Sequence, residues 1–381
     1  MKSQSETDIQ DGNNADRLSD LPNHLLLHIF EFMNIKCSIQ TCVLSKRWKD
    51  LWKSLTNLTF HHSRDRSGTY NKFVSHILSG RDDSLPLHKL IYFPLTSKKK
   101  IRYFLQDSSN SSKTTLLEVM KYAASHNVEE LTTYAGPWLI KNFELPHSIF
   151  HCHSLTSLKL DFGHPYSSGR SKIMFPKSLN LPALKTLHLS FLTFFTSENG
   201  CAEPFSTCKM LSTLVIIKFC LEEDAQSLCI FNSNISSLKV ASDCTIMGDH
   251  SYEVVLCTPK LTSLTIMGCY SFLTPSTCDL NFLEEGNIHY RFCNKPLEEL
   301  VMIGWLHLLA NVKKMTLKFR ALNRFPCFVR LKSLEVELES DSMIFDEIIR
   351  GKVREMVTNL LQKSLHARVD IIMKAGLTFR Y

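Results

Sequence analysis

The sequence predicts an α/β protein, with a small N-terminal unit of three helices, an irregular solenoid with a curved parallel sheet, and a C-terminal helical cap. Three observations support this prediction. Apolar and aromatic residues at helical spacing lie within about the first sixty positions, short apolar segments recur over about 250 residues, and a helical pattern follows them. An ordinary α/β domain with similar buried strands is the alternative, and the regular spacing of the segments argues against it.

The composition is that of a globular protein. The 381 residues are 44% hydrophobic and 21% charged, enough for a large core in one long domain or two modest ones. The net charge of +7 comes from 44 basic and 37 acidic residues spread along the chain, so no nucleic-acid partner is expected.

Neither export nor a membrane partner is expected. Residues 1–16 are polar and lack the apolar core of a secretory signal. The longest apolar stretch, Leu300 to Ala310, is shorter than the roughly 18 residues of a membrane-spanning helix, so it is predicted to be buried core. The thirteen cysteines are odd in number and scattered, which favours free thiols and a cytoplasmic and/or nuclear location.

The first helix is predicted to begin near Pro22, a residue that suits a first turn because it needs no intrahelical hydrogen-bond partner there. Leu25, Ile29 and Phe32 then recur at spacings of four and three, which indicates an apolar face. A second helix is predicted from a cap near Ser38.

A third helix is predicted over Lys46–Trp52, where Trp48, Leu51 and Trp52 share one face. A unit of about 45 residues leaves much of its apolar surface exposed, so a partner helix is expected to cover part of it.

Two segments of this unit carry a family resemblance. Asp16–Pro22 reads Asp-Arg-Leu-Ser-Asp-Leu-Pro and Val43–Trp48 reads Val-Leu-Ser-Lys-Arg-Trp, which resembles the plant F-box from Asp16 to about Phe60. The resemblance implies docking on a Skp-family adaptor, and through it on cullin and RING subunits. The residues implied as adaptor contacts, or as their support, are Leu21, Pro22, Leu25, Ile29, Ile39, Val43 and Trp48. Plain packing of the three helices is the alternative role for any one of them.

Beyond this unit, segments of the form apolar-x-x-apolar-x-apolar recur. The clearest are Leu155–Leu160, Leu184–Leu189 and Leu261–Ile266, and weaker copies start at Val128, Leu211, Ile235, Val312 and Leu331. The intervals of 27, 29, 27, 24, 26, 51 and 19 residues are typical of leucine-rich repeats, in which each unit contributes one strand. The interval of 51 is predicted to hold two repeats.

Strand side chains alternate, so the residue between the last two apolar positions of each repeat should point away from the core, onto the concave face. These candidate substrate-binding residues are Thr132, Lys159, His188, Val215, Lys239, Thr265, Thr316 and Glu335. Such a mixed row suits a protein surface or a polar ligand, and solvated surface is the alternative role for each residue.

The predicted organisation is a leader at 1–15, the F-box at 16–60, a polar linker at 61–84, repeats at 85–340 and a cap at 341–381. In the cap, Phe345, Ile349, Val353, Met356 and Leu360 fall at helical spacing, and a short strand is predicted at Val369–Met373.

No motif indicates catalysis, a metal or a cofactor. His151-Cys152-His153 lacks a second pair of ligands at zinc spacing, and His61-His62 is predicted to be solvated. The basic run Lys98–Lys100 is a weak signal for import or phosphate binding, and Gly-rich phosphate loops and Gly-x-Ser-x-Gly are absent from the sequence.

The predicted function is that of a substrate-recognition subunit of an SCF-type ubiquitin ligase, a non-catalytic adaptor without a cofactor, whose protein target is unknown. The alternative is an F-box/repeat interaction protein that acts without substrate ubiquitination. A hydrolase built on a solenoid would need a cluster of polar catalytic groups, which the predicted row does not provide. A small-molecule co-ligand is left open.

Overall fold

The computed structural model of the chain describes residues 20–61, 67–93, 109–135, 143–163, 173–197, 200–222, 226–241, 252–268, 273–275, 280–290, 298–319, 328, 330–338, 358, 368–373 and 378–380. The helices in these ranges are α1 Asn23–Glu31, α2 Ile35–Gln40, α3 Ser67–Gly80, α4 Ser109–Ser125 and α5 Glu298–Leu308. The main sheet contains β1 Asn57–His61, β2 Lys89–Phe93, β3 Glu130–Tyr134, β4 Ser157–Asp161, β6 Thr186–Ser190, β9 Thr213–Ile217, β12 Ser237–Ala241, β14 Ser263–Gly268, β16 Glu285–Tyr290, β17 Lys314–Phe319, β18 Ser333–Leu338, β19 Arg368–Met373 and β20 Thr378–Arg380.

Two smaller parallel sheets are built from the segments between these strands. One contains β5 Met174–Phe175, β7 Thr193–Phe194 and β10 Cys220–Leu221. The other contains β8 Cys201–Ala202, β11 Ser227–Phe231, β13 Tyr252–Cys257 and β15 Leu273–Pro275.

The N-terminal unit is helical, but two of its predicted elements are wrong. The second helix begins at Ile35 rather than near Ser38, because the Asn34 side chain caps it by accepting a hydrogen bond from the Lys36 backbone N–H at 2.9 Å. The predicted third helix at Lys46–Trp52 is a series of turns, with a 3-10 turn at Leu51–Ser54. Tertiary packing of the two tryptophans overrides the local helical pattern there.

The main sheet follows the chain strand by strand, which is the topology predicted from the repeats. Every neighbouring pair is parallel up to β19, and β20 returns antiparallel. The strand β16 lies inside the interval of 51 residues, so the prediction of two repeats there is confirmed. β1 extends the sheet beyond the N-terminal end predicted for the repeats.

The predicted linker at 61–84 is wrong in character, because most of it is the helix α3. Tyr70, Val74, Ile77 and Leu78 of this helix are buried in the core. Their spacing of three or four is helical, and the intervening Ser, His and Lys residues disguise the pattern in the sequence. The segment therefore joins the F-box region to the sheet as packed structure.

Alternation along the strands places the apolar repeat positions in one core. Pairs such as Leu158 with Leu160 and Leu187 with Leu189 are buried and in register across neighbouring strands. Burying each leucine stabilises the fold by about 1.5–3 kcal/mol. At Gly286 an added Cβ would lie 3.0 Å from the Leu309 side chain, so the glycine lets the chain just after α5 approach the sheet.

Hydroxyl groups, rather than asparagines, link successive repeats at the start of the strands. The hydroxyls of Thr156, Ser212, Ser236 and Thr262 each donate to a backbone carbonyl of the preceding repeat, at 3.0–3.2 Å. This explains why the asparagine of the regular consensus is dispensable here.

The apolar stretch predicted as core lies largely in α5, where Met302, Trp305 and Leu306 are buried. Among the described helices, none is both long and apolar enough to cross a membrane. The predicted C-terminal strand corresponds to β19, whereas the predicted cap helix, with Phe345, Ile349, Val353, Met356 and Leu360, lies outside the described residues.

Candidate adaptor-binding surface and strand-face row

Helix α1 has apolar residues on two faces, and only one of them is used inside the chain. Leu26 and Phe30 are fully buried. Leu25, Ile29 and Phe32 lie at i, i+4 and i+7 on another face and are exposed, with Phe32 81% accessible. An apolar face without a covering element costs solubility, so it marks an interaction site.

The turn after α2 adds Val43, 87% exposed, and Leu44, which is also exposed. We call Leu25, Ile29, Phe32, Val43 and Leu44 the exposed apolar set. It accounts for five of the eight large exposed hydrophobic residues found in the described ranges. This concentration within 20 residues of sequence is not a random scatter over the surface.

The structure separates the predicted adaptor contacts into exposed and buried groups. Leu25, Ile29 and Val43 are exposed, and so is Pro22 at the start of α1. Trp48 is only 6% exposed, so a direct contact by its side chain is excluded, and its role is support.

The two remaining candidates, Leu21 and Ile39, are partly buried and pack against the core. Trp48 holds α1 from inside, with its ring edge-on to Phe30 at 5.7 Å between centroids. The sequence reasoning did not include Phe32 and Leu44 among the contacts. The i+7 spacing of Phe32 from Leu25 was the available signal.

Arg47 ties the two sequence segments of the F-box resemblance together. Its guanidinium donates to the Leu21 carbonyl and to the Asn23 Oδ1 atom, the latter at 3.0 and 2.8 Å. The Leu-Ser-Lys-Arg-Trp run and the Leu-Pro pair are therefore neighbours in space. This contact gives a physical reason for their joint occurrence in the sequence.

A buried arginine joins this unit to the repeats. Arg81, at the end of α3, is 4% exposed and donates to the carbonyls of Leu55, Asp82, Leu85 and Pro86 at 2.7–3.2 Å. A planar guanidinium with several donors can satisfy such a set of acceptors, which a lysine cannot.

Glycine at position 80 strengthens the same joint. An added Cβ there would lie 3.0 Å from the ring of Trp52, so the glycine lets α3 pack closely on the F-box region. We call the contacts of Gly80 and Arg81 the joint. They fix the strand face in position relative to α1.

The predicted concave residues lie in register on neighbouring strands of the main sheet. Each is paired with the next, or is separated from it by one strand that the sequence reasoning missed. The row also contains Ile91 on β2 and Asn287 on β16. All eight predicted residues are half-buried, so they form one accessible line, which we call the strand-face row: Ile91, Thr132, Lys159, His188, Val215, Lys239, Thr265, Asn287, Thr316 and Glu335.

The middle of the strand-face row is basic. Lys159 and Lys239 have no hydrogen-bond or ion-pair partner within the described ranges. By contrast, Lys89 on a neighbouring strand pairs with a glutamate at 2.8 Å. Partial burial, followed by the charges of Lys159 and Lys239, lowers the pKa of His188, and Asp161 opposes this shift.

Aromatic rings stand next to the first part of the row. The rings of Phe93 and Tyr134 are parallel, with centroids 5.5 Å apart, and His61 follows at 5.8 Å from Phe93. Each lies two residues beyond a row position or its register partner on β1, and therefore on the same face. The result is an apolar step beside a polar line.

The histidine and cysteine motif has a structural role. The Cys152 thiol is buried against the Val128 carbonyl, and the His153 ring contacts Asn180 at 3.3 Å. In the described part of the chain, no group of three or more His, Cys, Asp or Glu side chains could hold a metal ion. Lys98–Lys100 lies outside the described residues, as does His62.

Comparison with known families agrees with this geometry. Residues 18–60 match the F-box domain, and residues 116–280 match the leucine-rich repeats described for the FBD-associated F-box protein At5g56370. Neither of these descriptions names a catalytic domain.

Relatives in Arabidopsis thaliana cover much of the chain. The FBD-associated F-box protein At4g10400 is 29% identical over 66% of the chain and 56% of its own length, so the match spans little more than half of that relative. The FBD-associated F-box protein At5g60610 is 28% identical over 93% of the chain and 82% of its length. The putative F-box/FBD/LRR-repeat protein At4g13965 is 28% identical over 85% and 69%. The chain is therefore a plant-type F-box protein with leucine-rich repeats.

Proposed function

We propose that this chain is the substrate-recognition subunit of an SCF-type ubiquitin ligase, acting in the cytoplasm, the nucleus or both. Its F-box binds a Skp-family adaptor through the exposed apolar set, and its repeats bind a target protein on the strand face. The observation that carries the proposal is the exposed apolar set on a domain that matches the F-box.

The protein acts by proximity and needs no catalytic group of its own. Holding a target beside a charged conjugating enzyme raises the effective concentration of an acceptor lysine, as in any tethered reaction. The joint supports this role, because a fixed orientation keeps the target within reach of the enzyme.

The first experiment is co-purification of the full-length chain with a Skp-family adaptor. A Val43→Asp/Leu44→Asp variant should bind about 100-fold more weakly, because two apolar contacts of roughly 1.4 kcal/mol each are lost. Met210→Asp/Phe231→Asp is the matched control, since both residues are exposed hydrophobics outside the F-box. Equal binding by the two variants, or no binding by the unchanged chain to a panel of such adaptors, contradicts the proposal.

The alternative function, an interaction protein that delivers no target, is supported by the same apolar set. Target abundance separates the two functions. In cells that lack the chain, restoring the original sequence should lower the abundance of specific proteins, and the Val43→Asp/Leu44→Asp variant should not. If no protein responds while adaptor binding persists, the interaction function is the correct one.

A further inference from the structure

The strand-face row has a charge pattern that predicts the chemistry of its partner. Between β4 and β14 the row contains two lysines, one histidine and no carboxylate. Elsewhere on the same sheet, lysines meet glutamates across strands, as Lys89 meets Glu130 and Lys314 meets Glu285. The central ammonium groups are thus those left for an external anion among the described residues.

Asp161 is the acidic group nearest to this centre on the same face, on β4. Its Oδ1 atom accepts a hydrogen bond from the Gly163 backbone N–H at 3.1 Å, which orients the carboxylate toward its own turn. It therefore does not neutralise both lysines. The row remains complementary to negative charge.

The aromatic step gives the surface a second feature. Phe93 and Tyr134 are half-buried and stack in parallel on β2 and β3, immediately before Lys159 on β4. A stacked pair at a sheet surface offers an apolar platform for a large side chain. A partner that covers both features needs apolar and acidic groups close together in sequence.

Resting on the proposed function, we infer that the strand face binds an acidic protein segment, with an aromatic or large apolar side chain on Phe93 and Tyr134 and carboxylates on Lys159 and Lys239. The two lysines are three strand spacings apart, about 14 Å, at roughly 4.8 Å for each spacing. In an extended segment this corresponds to carboxylates about four residues apart.

The test uses a displayed library of random dodecapeptides, selected on the immobilised full-length chain. Selected peptides should contain more Asp and Glu than Lys and Arg, relative to the starting library, together with an aromatic residue. For one selected peptide, fluorescence anisotropy should show about tenfold weaker binding to Lys159→Glu/Lys239→Glu. Lys185→Glu/Lys209→Glu is the charge-matched control, since both lysines are exposed and outside the row, and it should change the affinity less than twofold.

Three results overturn the inference: no acidic excess in the selected peptides, equal loss of affinity in the two double variants, or tighter binding of a fluorescein-labelled single-stranded RNA than of any selected peptide. Failure here is distinguishable from failure of the proposed function. The Lys159→Glu/Lys239→Glu variant must still co-purify with the adaptor, which also shows that it is folded.

Discussion

Removing the Arg81 side chain should uncouple the F-box from the repeats. Its guanidinium is buried and donates to four carbonyls, one of which, Leu55, belongs to the end of the F-box region. Asp82 adds a backbone hydrogen bond from its N–H to the Lys53 carbonyl at 3.0 Å. The Arg81→Ala change therefore acts on the one segment where the two parts are tied by a buried charged group in the described structure.

The size of the effect follows from the acceptors left behind. A buried carbonyl without a donor costs about 1–3 kcal/mol, and the Leu55, Leu85 and Pro86 carbonyls would each lose one. Removing the buried charge recovers part of its desolvation cost. We expect the free energy of unfolding to fall by about 3 kcal/mol, and by less in Arg81→Lys, which keeps the charge but loses the planar set of donors.

Urea denaturation of the full-length chain measures this change, and amide hydrogen exchange locates it. Exchange should accelerate at Leu55 and over residues 81–86, while the strands from β4 onward keep their protection. Arg330→Ala is the control, since Arg330 is exposed, and it should change the free energy of unfolding by less than about 0.5 kcal/mol. If Arg81→Ala matches that control in both stability and exchange, the joint does not depend on this arginine.

Two further predictions concern single titratable side chains. The Tyr92 hydroxyl is fully buried without a hydrogen-bond partner in the described residues, and burial raises its pKa, so Tyr92→Phe should be neutral or stabilise the fold by about 1 kcal/mol in urea denaturation. A loss above about 0.5 kcal/mol would show that the hydroxyl has a partner. The His188 imidazole should titrate below 6.5 by NMR, and Lys159→Gln should raise its pKa because one repelling charge is removed, while Lys239 and Asp161 remain. Since the lowered pKa leaves the unfolded state with more bound protons, the contribution of His188 to stability should fall as the pH drops through 6.5 toward the folded pKa; an unchanged pKa in the variant contradicts this account.

The repeat pattern could be predicted because it depends on short-range spacing. Alternation fixes which residues of each strand are buried, and the parallel stacking fixes their register, so the strand-face row follows from sequence alone. Asn287 was missed because β16 carries Gly286 where other repeats carry a large apolar residue. Ile91 was missed because β2 lies next to polar segments that weaken its pattern.

The errors lie where long-range packing decides the structure. The third helix was predicted from the spacing of Trp48 and Trp52, yet both rings are buried by contacts made elsewhere in the chain, among them Phe30 for Trp48 and Gly80 for Trp52. The separation of adaptor contacts from core residues needed the same information. Helical periodicity indicates that a residue is apolar and on a certain face, but not which of two apolar faces the rest of the chain covers.

The joint also explains why the F-box region can be so short. About 45 residues bury too little apolar surface to be stable alone, yet the core runs without interruption from Leu26 in α1 to Val336 in β18. The repeats therefore supply the packing that lets α1 keep an apolar face exposed. A partner that binds this face gains the burial that the chain itself leaves unused, and at the same time takes hold of the strand-face row through α3 and Arg81. Adaptor binding and target positioning are, in this arrangement, two consequences of one continuous core.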